Sequence, residues 1–246
     1  MIRVINRKIK NETISKEWDN IIEKRREYII RGDDKSFLFI LLPQIIDGIK
    51  EIEKDKRSII IDCGCGNGYL TNELSQYAKE VIGLDISSKS IELALKDYPK
   101  IKFYNQSIEE FSLKGREFAD ICVANMLLSN VVDCYEVCKN IYNMLKSGGK
   151  FVVTIPHPCF WPQYWGYYNR DWFDYKKEIV MNCDFRITGI GRLGNTTHVH
   201  RPIEKYFEIF NRIGFKVGKV KELYSEINKG IGDFNKPRFI YLEINK

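Results

Sequence analysis

Short apolar stretches alternate with amphipathic ones between residues 58 and 155, and this alternation constrains the fold more than any other feature. The apolar stretches are predicted strands, and most are followed by residues whose apolar members recur at helical spacing. The five strands are Ser58–Cys63, Glu80–Asp85, Lys100–Asn105, Phe118–Asn125 and Lys150–Ile155. Strands joined through helices run parallel, and helices then cover both faces of their sheet. The alternation therefore predicts an α/β fold with a doubly wound sheet.

Further elements are predicted on both sides of this region. Residues 1–50 carry helical periodicity and form a predicted N-terminal helical cap. Two last strands, within 215–224 and 238–244, complete a mostly parallel, seven-stranded sheet. Residues 156–198 break the alternation and predict an insertion after strand five. The helix that carries Cys134, Cys138, Ile141 and Leu145 on one face is predicted to stop at Gly148 and Gly149. We expect one domain over residues 1–246.

Composition narrows the class of protein. A hydrophobic fraction of 44% and a charged fraction of 29% exclude a disordered chain. The net charge of +6 comes from scattered residues, which is typical of a solvated surface and makes nucleic acid an unlikely partner. Seven cysteines, an odd number, fit free thiols better than a disulfide framework. The first 18 residues lack a signal-peptide pattern, and the longest apolar run, Phe37–Ile46, is too short to span a bilayer. We expect a cytoplasmic protein with no membrane partner, and the sequence leaves its oligomeric state unknown.

A glycine-rich turn follows the first of the five strands. The segment from Ile59 to Gly68 reads IIIDCGCGNG and leads into a predicted helix. Glycines in such a turn allow a tight reversal and let a nucleotide-like ligand approach the backbone closely.

Two carboxylates accompany this turn. Asp85 ends the second strand about 20 residues further on, where an acidic side chain accepts hydrogen bonds from ribose hydroxyls. Asp62 would repel a pyrophosphate but would favour an ammonium group. The dinucleotide fingerprint also fails, because its third glycine would fall at Tyr69. The pattern favours an adenosine ligand with an amino-acid tail over NAD or ATP.

Together with further segments, this pattern resembles the class I S-adenosylmethionine-dependent methyltransferases, in the small-molecule branch related to quinone-biosynthesis enzymes. The segments that carry the resemblance are Asp62–Gly68, Gly83–Ser87, Phe118–Asn125, Leu145–Lys150 and Ile213–Phe215. It covers residues 58 to 155, resumes near residue 200 and implies a Rossmann-like sheet. It also implies that S-adenosylmethionine is the cofactor and S-adenosylhomocysteine its product.

The resemblance implies residue roles as well. The backbone from Cys63 to Gly66 would hold the methionine part of the cofactor, Asp85 the ribose, and Ile86 the adenine. Ser107 stands where the family usually has Asp. The N-terminal helix, including Tyr28, would cover the cofactor. The full set of expected cofactor-binding residues is Asp62, Cys63, Gly64, Cys65, Gly66, Asp85, Ile86, Ser107, Ile108 and Asn125.

The insertion contains nine aromatic residues between positions 160 and 175. Because the carboxyl ends of parallel strands face the ligand crevice, we expect this segment to form a substrate lid. Trp161, Tyr164 and Trp165 are the expected substrate-binding residues. An ordinary core patch and a dimer surface are the alternatives.

Histidine is the candidate for removing a proton from the acceptor. His157 follows strand five between two prolines, and its ordinary pKa near 6.5 suits a general base. His200, at the start of the next helix, is the second choice. His157 tying down its loop through a hydrogen bond is an equal alternative. Glu222, near the end of strand six, is expected to face solvent.

No metal is expected. Cys63 and Cys65 lack a second cysteine pair at ligand spacing, and nothing brings His157, His198 and His200 together in the sequence. We therefore expect an S-adenosylmethionine-dependent enzyme that methylates an O, N or C atom of a small molecule. An RNA methyltransferase and a non-catalytic module that binds the cofactor are the alternatives.

Overall fold

Ten strands and nine α-helices form the described part of this computed structural model, which covers residues 2–6, 8–225 and 235–246. The strands are β1 (Arg3–Val4), β2 (Ile59–Cys63), β3 (Glu80–Asp85), β4 (Lys102–Asn105), β5 (Ala119–Asn125), β6 (Leu145–Pro156), β7 (Ile179–Ile187), β8 (Gly191–His200), β9 (Lys216–Leu223) and β10 (Phe239–Asn245). The helices are α1 (Asn11–Asp19), α2 (Ile22–Ile30), α3 (Leu42–Ile52), α4 (Tyr69–Ser75), α5 (Ser88–Asp97), α6 (Ile108–Ser112), α7 (Cys134–Met144), α8 (Trp161–Trp165) and α9 (Ile203–Ile213). A π-helical turn, Phe37–Leu41, precedes α3.

The larger sheet has seven strands in the order β4-β3-β2-β5-β6-β10-β9. β2 pairs in parallel with β3 and β5, and β5 pairs in parallel with β6. β10 runs antiparallel to both β6 and β9. The predicted seven-stranded, mostly parallel, Rossmann-like sheet is confirmed. Its parallel strands end at one edge, and the turns that follow them meet there.

The core lies on both faces of this sheet because its strands are apolar at successive positions. In β2, Ile60 joins a buried cluster that includes side chains of α3 and α4. Its neighbour Ile61 joins a second buried cluster with side chains of α7 and α9. Successive residues of a strand point to opposite faces, so the run of isoleucines supplies both layers.

The junction of α7 and β6 differs from the prediction. The helix ends at Met144, and the strand begins at once with Leu145, which pairs with Ala119 of β5. The prediction that the helix continues to Gly148 is wrong. The two glycines serve an irregularity of the β5–β6 pairing: Gly148 has φ +75°, and a side chain at Gly149 would lie 3.1 Å from the carbonyl oxygen of Asp120.

A second, three-stranded sheet occupies much of the predicted insertion. β7 and β8 form an antiparallel hairpin, and β1 at the N-terminus pairs with β7. The sequence reasoning predicted no strands between residues 156 and 198. Gly189 and Gly191, both with positive φ, form the turn of this hairpin. The sequence reasoning did not use them, because it interpreted the whole segment through its aromatic residues.

The N-terminal helices lie against the carboxyl edge of the central sheet. The Ser15 hydroxyl donates to the carbonyl of Ile86 at 2.9 Å, and Asp19 accepts from the hydroxyl of Ser87 at 2.6 Å. Residues 1 and 7 of the predicted cap lie outside the described residues. Among the described helices, none is both long and apolar enough to cross a membrane. The extent of a single domain over residues 1–246 stays a prediction.

Candidate active site

A cavity of about 920 Å³ lies at the carboxyl ends of the parallel strands. One wall, here called the strand wall, comes from the turns after three strands and consists of Gly64, Gly66, Leu84, Asp85, Ile86, Gln106, Ser107 and Ile108. The other, here called the α9 wall, consists of Val131, Val132, Asp133, Cys134, Tyr135, Glu136, Val137, Glu178, Lys205, Glu208, Ile209 and Arg212. Asn125 and the residues after it, the N-terminal segment with its first helices, and Ser90 and Glu109 complete the lining. Binding cavities for small molecules span about 300–1,000 Å³, so this one lies at the large end of that range.

The glycine turn is bound to the neighbouring strand. The backbone N–H groups of Gly64 and Cys65 both donate to the carbonyl of Leu84, at 2.8 and 2.9 Å. Gly66 has φ +56°, a left-handed conformation that favours glycine, and its N–H donates to Asp85 Oδ2 at 2.9 Å. A side chain at Gly64 would lie 2.9 Å from Leu127 Cδ1. Glycine thus keeps this wall close to the backbone.

Asp85 holds the turn and still faces the cavity. It accepts N–H bonds from Gly66 and, at 2.8 Å, from Ser87. An ionised carboxylate offers about four acceptor positions, so it can also accept from two hydroxyls of a ligand. Burial raises the pKa of Asp85 to about 6, although both N–H bonds lower it.

Asp62 and the two cysteines of the turn stand behind the cavity surface. Asp62 is buried and accepts from Thr71 Oγ1 at 2.7 Å, and its burial raises its pKa to about 7. Burial also raises the pKa of the Cys65 thiol. Neither these two side chains nor Cys63 lines the cavity. What the turn presents to a ligand is its backbone.

Three residues that follow β4 line the cavity, and the second of them also caps a helix. Ser107 caps α6: its hydroxyl accepts from the N–H of Glu110 at 3.1 Å, and the Glu110 carboxylate accepts from the Ser107 N–H at 2.9 Å. Among the described residues, the buried Oε1 of Gln106 has no hydrogen-bond partner. It lines the cavity beside Ser107 and Ile108. The resemblance pointed to Ser107 and Ile108, whose cofactor roles stay predictions, and it did not include the adjacent Gln106.

The loop after β5 contains the strained part of the site. Asn125 Oδ1 accepts from the Thr154 hydroxyl at 2.7 Å. The next residue, Met126, has φ +59°, a left-handed conformation that is uncommon for any residue other than glycine, and its N–H donates to the carbonyl of Thr154 at 2.9 Å. Such strain persists only where neighbours hold it, and it concentrates at functional sites. Asn125, Met126, Leu127 and Asn130 all line the cavity.

The N-terminal cover reaches the cavity through residues other than the expected one. Trp18, Ile22 and Arg25 line the cavity, whereas Tyr28 does not. Trp18 also packs edge-on against Phe185 of β7, with ring centroids 5.3 Å apart. The first helices thus bridge the cavity and the hairpin.

His157 lies outside the cavity lining, and protein groups occupy both of its ring nitrogens. Nδ1 accepts from the N–H of Cys159 at 3.3 Å, so the proton of the neutral ring is on Nε2, which donates to Glu222 Oε1 at 3.0 Å. Burial lowers the pKa of His157. The expectation that Glu222 only faces solvent is corrected, because it binds this histidine although it is half exposed.

The other two histidines, His198 and His200, also lie outside the cavity lining. His200 donates to the carbonyl of Tyr175 at 3.1 Å and packs against the ring of Phe173. Burial lowers the pKa of His198 to about 3, which keeps it neutral. Within the described part of the chain, no three His, Cys, Asp or Glu side chains are grouped so that they could hold a metal ion.

The three expected substrate-binding aromatics pack into the core. Trp161 is 7% exposed and lies 4.7 Å from Trp165 and 5.5 Å from Phe239, centroid to centroid. The hydroxyl of Tyr164 is 2.9 Å from that of Thr188. None of the three lines the cavity. Their substrate role stays a prediction that this placement does not support, and the placement favours the alternative of a core patch.

Comparison with known proteins agrees with this geometry. Residues 61–153, from β2 through most of β6, match the family described as "Methyltransferase domain". This segment of the chain is therefore similar to a methyltransferase domain. The seven-stranded sheet of the chain has the fold of S-adenosylmethionine-dependent methyltransferases of known structure, as expected from the resemblance.

Two curated relatives and one solved structure illustrate the likeness of the methyltransferase domain. A ubiquinone biosynthesis O-methyltransferase of Bradyrhizobium diazoefficiens is 30% identical over 142 residues, which are 53% of this chain and 51% of that protein. The N-demethylindolmycin N-methyltransferase of Streptomyces griseus is 27% identical over 112 residues, 43% of this chain and 47% of that protein. The chain spans about half the length of the curated relatives it matches. The structure of magnesium protoporphyrin IX methyltransferase from Synechocystis, solved with bound S-adenosylmethionine, aligns with TM-score 0.63 at 13% identity. That alignment covers 98% of this chain and all of that one.

Proposed function

We propose that this protein is an S-adenosylmethionine-dependent methyltransferase that transfers a methyl group to an O, N or C atom of a small molecule. One observation carries the proposal: the glycine turn, Asp85 and the end of β4 meet at one wall of a single cavity. The N–H of Gly66 and the carboxylate of Asp85 are bonded to each other there. A methyltransferase domain in the same residues supports this assignment.

The strand wall fits an adenosine with an amino-acid tail. Asp85 has acceptor positions left for two ribose hydroxyls. The buried, unpartnered Oε1 of Gln106 can accept from an amino group on a base. Ile86 and Ile108 supply apolar surface for the base itself. We therefore assign cofactor binding to this wall, and Gln106 replaces the Ser107 hydroxyl as the proposed acceptor.

The α9 wall is left for the acceptor molecule. When bound, S-adenosylmethionine supplies a methyl group on a positively charged sulfur. The residues of this chain have to align the acceptor and exclude water, and positioning alone supplies up to ~7–11 kcal/mol in favourable cases. Trp18 and Ile22 cover the cavity from the N-terminal side. We do not assign the role of proton acceptor to His157 or His200, since neither lines the cavity. Both ring nitrogens of His157 and Nε2 of His200 are bonded to protein groups.

A cavity of about 920 Å³ and the scattered positive charges of the chain support a small-molecule acceptor in preference to a nucleic acid. Two relatives named above are an O-methyltransferase and an N-methyltransferase of small molecules. The seven free cysteines support a reducing compartment such as the cytoplasm as its place of action.

Calorimetry and a transfer assay test the proposal. We expect the purified protein to bind S-adenosylmethionine and S-adenosylhomocysteine and to bind NAD much more weakly. Incubation with methyl-tritiated S-adenosylmethionine and a metabolite extract should then label a small molecule. Labelled RNA would indicate the alternative substrate class. Binding without transfer to small molecules, RNA or protein would indicate a non-catalytic module, and absence of binding would contradict the proposal.

A further inference from the structure

Arg201, the residue after β8, has a completely buried side chain whose guanidinium group is surrounded by backbone carbonyls. Nη1 donates to the carbonyl of Leu128 at 2.6 Å. Nη2 donates to the carbonyls of Val131 and Val132, at 2.5 and 2.7 Å. Nε donates to Glu178 Oε1 at 2.5 Å, which supplies the opposite charge.

The three carbonyls belong to one short loop, residues 126–132, which connects β5 to α7. This loop, here called the β5 loop, carries the strained Met126 and contributes five residues to the cavity lining. It contains no helix or strand of its own; the Met126 and Leu127 carbonyls accept bonds within the loop, whereas those of Leu128, Val131 and Val132 accept from Arg201. A further bond from the N–H of Val199 to the carbonyl of Ser129, at 2.7 Å, joins it to β8.

Arginine suits this place because its planar guanidinium presents five donors in a rigid fork. Lysine has three donors at one point, and an apolar side chain would leave the carbonyls of the β5 loop buried without partners. Glu178, which accepts from Arg201, itself lines the cavity. The guanidinium therefore connects two parts of the cavity wall through a single buried group.

We propose that Arg201 is a positioning residue, which holds the β5 loop in its cavity-lining conformation and so shapes the side of the site that takes the acceptor. Arg201 then influences acceptor binding from behind the wall, since it does not itself line the cavity and acts through the β5 loop and Glu178, which do. The role in acceptor binding rests on the proposed function, whereas the hold on the loop does not.

Hydrogen exchange of the full-length protein tests the hold on the loop. In Arg201→Met, loss of bonds to a charged donor should speed exchange of amides in the β5 loop at least about tenfold, while β3 amides keep their rates. Arg201→Lys, which retains the charge and part of the donors, should restore protection in part. Arg192→Met is the matched control: this arginine of the same hairpin is 61% exposed and pairs with Asp184, so the loop should keep its protection.

Ligand measurements then separate the two proposals. In Arg201→Met we expect the affinity for S-adenosylhomocysteine to stay within about threefold. The KM for an acceptor found in the labelling assay should rise at least about tenfold, with a smaller change in kcat. Equal acceleration of loop and β3 amides would overturn the positioning role, as would an unchanged loop. If Arg201→Met does not fold, Arg201→Lys decides by the same comparison. If the wild-type protein fails to bind S-adenosylhomocysteine, the proposed function fails, and the exchange pattern still decides whether Arg201 holds the loop.

Discussion

The carboxyl edge of the central sheet contains the residues expected to bind the cofactor. The segment between β6 and α9 contains those expected to bind the acceptor and to remove its proton. At the sheet edge, small and polar groups such as Gly66, Asp85 and Asn125 line a large cavity. In the insertion, chemically more conspicuous residues such as Trp161 and His157 are buried and away from it.

This difference teaches that chemical character does not place a side chain at a cavity. The turns after parallel strands reach the site because the sheet topology brings them to one edge. The aromatic side chains instead pack against β10 and one another, because burying their large apolar surfaces stabilises the fold.

The largest effect should come from the insertion, on stability. Trp161→Ala removes a buried indole, and we expect a loss of ~3–5 kcal/mol in the free energy of unfolding, measured with denaturant. Affinity for S-adenosylhomocysteine, at a temperature where the variant is folded, should change little. Tyr168→Ala, at a half-exposed site of the same segment, is the control with little effect. If the variant has normal stability but impaired methyl transfer, Trp161 contributes to substrate binding and the core-packing interpretation is contradicted.

At the sheet edge, the effect should appear in binding. Asp85→Ala should weaken S-adenosylhomocysteine binding by ~1.5–3 kcal/mol in calorimetry, the range for hydrogen bonds to a charged group. Glu80→Ala is the matched control, because Glu80 begins the same strand at its far end. Unchanged affinity in Asp85→Ala would remove this carboxylate from the proposed ribose site.

Asp62 should make the free energy of unfolding depend on pH. Its pKa is about 7 in the folded protein and about 3.9 when unfolded, because burial disfavours the charged form. The protonated form therefore stabilises the fold below pH 4, and this contribution is lost as pH rises through 7. Asp62→Asn does not titrate, so its stability relative to wild type should rise by ~2–3 kcal/mol between pH 5 and 8. A pH-independent difference in denaturant unfolding would contradict the raised pKa.

The smallest effect is expected at His157. Because both ring nitrogens bind protein groups, His157→Ala should change kcat for methyl transfer by less than about threefold, outside the usual contribution of a general base. Glu222→Ala, which removes its partner, should act in the same way. A fall of about 10²–10⁴ with loss of the acid limb of the pH–rate profile would instead restore His157 as the base.

The sequence by itself determined the central sheet and the position of one wall of the site. The apolar runs and the glycine turn are local patterns, and a parallel sheet places the turns after its strands at a common edge. Gly66, Asp85, Ile86 and Asn125 could be found for this reason. Gln106 was not singled out because a local pattern cannot distinguish neighbours at a strand end: Gln106 and Ser107 both line the cavity, and Ser107 also caps α6.

The burial and the partners of Arg201, Trp161 and His157 followed only from the three-dimensional structure. The sequence places Arg201 between a histidine and a proline, about 70 residues after the loop whose carbonyls it binds. Likewise, Trp161 and His157 have no local feature that shows whether they face a cavity or the core. Burial and hydrogen bonding depend on which distant groups pack together, and a short-range pattern holds no record of those partners.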